Sequence, residues 1–134
     1  MELYPLRPDA PTFEDDYQHL AASESRFESK IGTMMLAFLD RLRHDVIGPR
    51  LGVTKVFEEL WLVYSNEHGR STLITARIDH KDYSPLVEGV PLMHYRLAYT
   101  RPEADNLPKV ELRTSGVETA CDFVLEAIRT CKGP

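Results

Sequence analysis

The sequence predicts an α+β fold: a two-layer sandwich with a long N-terminal helix, a four-stranded antiparallel meander and a C-terminal helix. Three observations predict it. Apolar side chains recur at helical spacing from Phe13 to Ile47 and again from Val117 to Ile128. Between those stretches the period drops to two over four short segments. The links between successive strands are mostly short, which favours antiparallel pairing, and both helices can then cover one sheet face.

Residues 1–11 carry Pro5, Pro8 and Pro11, which exclude a helix and read as an extended leader to a single domain spanning 12–134. Thr12 is placed to cap a helix whose first turn holds Glu14, Asp15 and Asp16, where the helix dipole favours carboxylates. Phe13, Tyr17, Leu20, Phe27, Ile31, Met34, Met35, Phe38, Leu42 and Val46 continue the stripe, and Gly48-Pro49 stops it. An unbroken helix over 13–47 would measure about 52 Å. A domain of this size has a diameter of about 36 Å. The helix must therefore break, with Ser29–Gly32 the expected place, or project and be covered by a second copy of the chain.

Phe57–Tyr64 and Thr72–Asp79 read as strands joined by a hairpin that contains Gly69. After the link His80–Pro91, Leu92–Thr100 alternates as a third strand, and Lys109–Arg113 is a short fourth beyond the loop Arg101–Pro108. Ser115-Gly-Val-Glu118 has the spacing of a capping box and opens the last helix, which Gly133 ends. Cys121 and Cys131 on that helix would stand about 15 Å apart along its axis, too far to bridge, and read as buried free thiols.

Composition narrows the function. The 134 residues are 43% hydrophobic, too apolar for a disordered chain, and the formal net charge of −5 argues against a general nucleic-acid binder. No apolar run is long enough to span a bilayer and the first residues lack a secretory pattern, so the expected compartment is the cytoplasm. No phosphate-binding glycine loop, paired-cysteine motif or nucleophile elbow occurs, and no cofactor or metal is expected.

Strand alternation supplies the candidate site. Leu60, Leu62, Tyr64, Ile74, Ala76, Ile78, Met93, Tyr95, Leu97, Tyr99, Val110 and Leu112 should face the helices. The opposite face then carries Glu59, Trp61, Val63, Thr75, Arg77, Asp79, His94, Arg96, Glu111 and Arg113. Trp61 is the single tryptophan of the chain, and tryptophan and arginine are enriched at binding hot spots. Trp61, Arg77, His94, Arg96 and Arg113 are thus the expected interaction surface, for an acidic or anionic partner. The competing explanation is that the arginines pair across strands with Glu59, Asp79 and Glu111 on a solvated sheet.

Other polar clusters are weaker. Asp79-His80-Lys81-Asp82 could hold a metal or a base, but neighbours on an extended segment point apart. His44 fits the helix dipole, and His68 sits at a hairpin tip. The expected function is a non-enzymatic, homodimeric protein-interaction domain of the adaptor, inhibitor, immunity or chaperone type. The alternative is a small-molecule or catalytic pocket under the 80–91 link, with His80, His94 and Arg96 as its polar groups.

Overall fold

A computed structural model describes residues 1–7, 13–45, 47–80, 92–100 and 109–132. In chain order they form β1 (Leu3–Pro5), α1 (Phe13–Ala21), α2 (Arg26–Asp45), β2 (Leu51–Val56), β3 (Glu59–Ser65), β4 (Ser71–His80), β5 (Met93–Tyr99), β6 (Val110–Thr114) and α3 (Val117–Lys132). The class is α+β, as the periodicities require. The sheet, however, is six-stranded and mixed rather than a four-stranded antiparallel meander. Its order is β1-β2-β3-β4-β5-β6, with β1 parallel to β2 and every other pair antiparallel.

The expected strands are β3 to β6, within two residues at each end, and their alternation holds. Leu60, Leu62, Ile74, Ala76 and Leu97 are at most 1% exposed, and Tyr64, Tyr95 and Tyr99 are buried beside them. Val110 and Leu112, on the end strand, are only partly buried. α3 packs across β4, β5 and β6, while α2 packs on β4 and α3, and α1 on α2 and β2.

Two strands escaped the periodicity. In β2, Leu51, Gly52 and Val53 are all buried, so the alternation that marks a half-buried strand is missing. A Cβ at Gly52 would lie 2.4 Å from Leu6 Cδ2, the end of an exposed, flexible side chain that lies across it. The turn to β3 is just Phe57-Glu58, without the glycine or asparagine that announces a tight hairpin. Phe57, expected inside a strand, instead has φ of 56° and is 93% exposed. Within the segment read as a leader, Leu3–Pro5 is three residues of sheet, fastened where Leu51 N–H donates to Glu2 O (2.9 Å) and Leu6 N–H donates to Val53 O (2.9 Å).

The N-terminal helix breaks, but at residues 22–25 rather than Ser29–Gly32. Glu28 N–H donates to Ser25 Oγ (3.4 Å), and Ser23 Oγ donates to Glu28 Oε2 (2.7 Å). Ser25-x-x-Glu28 has the spacing of a capping box, with Ser23 taking the carboxylate that would otherwise return to the cap. Ser29 Oγ donates to Ala21 O (2.8 Å) and so closes the end of α1. Gly32 is a contact, not a hinge: a Cβ there would sit 2.3 Å from Ala21 N and 2.5 Å from Tyr17 O. Arg43 pairs with Glu14, so α2 runs back antiparallel along α1. Tyr17, Met35, Phe38, Leu39 and Leu42 are thereby at most 2% exposed within one chain. The helix is not too long for its domain, and that reason for a dimer falls.

The start of α3 also departs from expectation. Gly116 N–H donates to Thr114 Oγ1 (3.1 Å), and Gly116 O accepts the first helical bond from Ala120 N–H (3.1 Å). The carboxylate of Glu118 pairs with Arg41 of α2 instead of turning back to a cap at Ser115. Cys121 and Cys131 are both buried, and neither is in a disulfide. Thr12, the expected cap of α1, and the loops 81–91 and 101–108 lie outside the described residues, as does Gly133.

Candidate functional site: the sheet face opposite the helices

The register across the sheet sorts the face opposite the helices into rows. One row runs Thr54, Trp61, Thr75, Ala98, Glu111. The adjacent row contains Arg77, Arg96 and Arg113, each directly opposite the next on β4, β5 and β6. On the other side of the tryptophan row stand Gly52, Val63 and Leu73. Asp79 opposes His94 beyond the arginines. All five residues expected at an interaction surface therefore share one face, in a fixed order. Leu73 and Ala98 belong to it as well. The same alternation carried two residues back from Thr75, and two on from Arg96, would have found them.

Three arginines in one cross-strand row are costly by themselves. Neighbouring strands are about 4.8 Å apart, and like charges directly opposite destabilise a sheet. Part of the charge is compensated. Arg96 lies 3.6 Å from Asp79 and 4.0 Å from Glu111, and Arg77 lies 3.4 Å from Glu58. The pairing foreseen with Asp79 and Glu111 thus exists at Arg96, whereas Arg77 uses Glu58, from the β2–β3 turn, in place of Glu59. Glu58 is 84% exposed, so its contact is a loose, solvent-screened one. Arg113 is exposed and has no ion pair among the described residues.

Two donors on this face lack acceptors. Trp61 Nε1 and Arg77 Nε are both buried, with no hydrogen-bond partner among the described residues. Trp61 itself is partly buried, with Val63 and Leu73 in the next row. The face thus divides into an apolar strip and a cationic row, with a donor-rich seam where they meet.

The described residues do not bring together the three polar groups expected of the alternative pocket, whose 81–91 link lies outside them. His80 follows Ile78 on the helix side of β4, where its ring meets Phe27 edge-on at 5.2 Å between centroids. His94 and Arg96 lie on the other side of the sheet, so period-two geometry separates the three residues. Asp79 lies on the face away from the His80 ring: Oδ2 joins Arg96 (3.6 Å), while Oδ1 accepts from the His80 backbone N–H (3.1 Å). Lys81 and Asp82 lie outside the described residues. His44 Nε2 lies 3.4 Å from Asp40 one helical turn away, and His68 is exposed in the β3–β4 hairpin. Among the described residues no group of three or more histidine, cysteine or carboxylate side chains is placed to hold a metal, and no helix is long and apolar enough to cross a membrane.

No family model, curated protein or solved structure matches this chain. The face has to be interpreted from its own chemistry.

Proposed function

We propose that the chain is a non-enzymatic protein-interaction domain of the cytoplasm, and that the sheet face opposite its helices recognises an acidic segment of another protein. The observation that carries this is the row Arg77, Arg96 and Arg113. A stable sheet gains nothing from three aligned cations, whereas a chain of carboxylates laid along the row would neutralise them. Trp61, Val63 and Leu73 supply the adjoining apolar strip, so the partner segment is acidic on one side and apolar on the other. Trp61 Nε1 and Arg77 Nε offer donors that a partner acceptor would satisfy with small side-chain shifts. His94 borders the row at its far side. An adaptor, inhibitor, immunity or chaperone role all use such a surface.

Trp61 is the single tryptophan, so its fluorescence reports on the site directly. Titration with poly-glutamate, and with an acidic peptide carrying leucines, should shift its emission saturably, while poly-lysine should not. The affinity should fall as salt is raised. Arg77→Gln and Arg96→Gln keep side-chain bulk and should each weaken the response about tenfold, the loss of one charge-assisted contact. An emission unchanged by either acidic probe, or a response indifferent to both substitutions, rules the proposal out.

A further inference from the structure

Among the described residues β6 is the last strand of the sheet, and its outer backbone groups are a template for another strand. We infer that the β6 edge pairs with the β6 edge of a second copy of the chain, antiparallel about a two-fold axis through Leu112. This rests on the strand itself; Arg113 is shared with the arginine row, and in the dimer its charge is taken by Glu111 of the second copy, which leaves Arg77 and Arg96 for an acidic partner.

The order Val110-Glu111-Leu112-Arg113-Thr114 is complementary to its own reverse. Antiparallel self-pairing centred on Leu112 sets Glu111 of each copy opposite Arg113 of the other, twice over. Leu112 then meets Leu112, and Val110 meets Thr114. The neighbouring registers fail. Centring on Glu111 opposes two carboxylates, centring on Arg113 opposes two guanidinium groups, and like charges directly opposite destabilise a pair. A slip of one residue turns the helix-side residues of one copy toward the other copy's arginine side. Charge and pleat together select one register.

The surroundings fit this pairing. Arg113 ends the arginine row, lies opposite Arg96 of β5 and has no ion pair among the described residues. Glu111 is exposed, and among the described residues its one cationic neighbour is Arg96, at a marginal 4.0 Å. In the dimer each of these two residues gains an opposite charge directly across the new strand pair. Leu112, partly buried although it points to the helix side, gains the neighbour that an edge position denies it. Neither a proline nor a bulge protects the strand.

Sedimentation velocity on the full chain, over a micromolar to millimolar concentration series, tests the inference. The wild type should show a reversible monomer–dimer equilibrium. Glu111→Arg makes the opposed pairs Arg–Arg and Arg113→Glu makes them Glu–Glu, and each alone should dissociate the dimer by about tenfold or more. Mixed in equal amounts, the two variants should associate again, because every opposed pair is then Arg–Glu. Circular dichroism on each variant separates lost pairing from lost folding. Independently, Leu112→Cys should cross-link to its own copy with a short thiol-reactive linker, while the wild type, with both cysteines buried, should not. A wild type that stays monomeric, a dimer indifferent to both charge reversals, a mixture that does not associate, or an uncross-linked Leu112→Cys would overturn the inference.

Discussion

Phe57 occupies a backbone conformation that a side chain with a Cβ pays for, and it gains no burial in return: φ is 56° and the ring is 93% exposed. Phe57→Gly should therefore stabilise the protein by about 1 kcal/mol, raising Tm by about 3 °C in a thermal melt. Two buried tyrosines make a contrasting pair. Tyr95 Oη donates to Met34 O at 2.7 Å, tying β5 to α2, whereas Tyr17 Oη is buried with no partner among the described residues. Tyr95→Phe leaves a buried carbonyl without its donor and should cost about 1 kcal/mol. Tyr17→Phe removes an unsatisfied hydroxyl and should be neutral or mildly stabilising, keeping the ring over which Lys55 sits at 5.3 Å. Urea denaturation of the two variants separates the cases. Equal losses in both would show that Tyr17 is hydrogen-bonded in solution.

The helical hairpin depends on Gly32 and on three serines more than on the hydrophobic stripe. Gly32→Ala would drive a methyl into the backbone of Ala21 and Tyr17, and neither can move without unwinding the end of α1. The expected loss is about 2–3 kcal/mol, within the usual cost of overpacking, read from the midpoint of a denaturant transition. An unchanged midpoint would mean that α1 is not packed against α2 as described. The sequence made the existence of these helices legible but not their break. Apolar spacing runs on through Leu20, Phe27 and Ile31 as though one helix continued, so the stripe itself does not mark the boundary. The local signal was Ser25-x-x-Glu28, four residues before the expected Ser29–Gly32. Gly32 marks close contact rather than a break. β2 was hidden by similar causes: buried on both sides at its start, it lacks alternation, and its hairpin closes through Phe57-Glu58 rather than a turn dipeptide.

At the scale of the molecule, which face each of β3 to β6 presents was legible because alternation is local. The arginine row was not, because it depends on cross-strand register, which loop residues and packing set together. Knowing that Arg77, Arg96 and Arg113 shared a face said nothing of their standing in line. Alkaline pH offers a test of the packed interior. Burial, with a smaller contribution from Cys121, pushes the Tyr95 hydroxyl up to about 12, and burial together with Asp16 pushes Tyr17 up further. Both hydroxyls keep their protons in the folded chain at a pH where an unfolded tyrosine, near 10, has lost its own. Stability from these groups is complete below about pH 10. It should fall above that by up to about 1.4 kcal/mol per pH unit for each tyrosine. Unfolding free energies measured between neutral pH and strong alkali should show this slope in the wild type and a flatter one in a double Tyr17→Phe/Tyr95→Phe variant. An identical slope in both would place the loss elsewhere. The two ends of the sheet, finally, differ in kind. β1 is three residues long, ends in Pro5 and lies parallel to its neighbour, so it is a poor template, whereas β6, the other end strand among the described residues, carries neither a proline nor a bulge. Strand addition at one edge alone is self-limiting: joining two copies consumes both reactive edges and leaves only blunt ones outside. Such an assembly closes at two and has no route to a filament, so overexpression at high concentration should yield a finite particle rather than fibres.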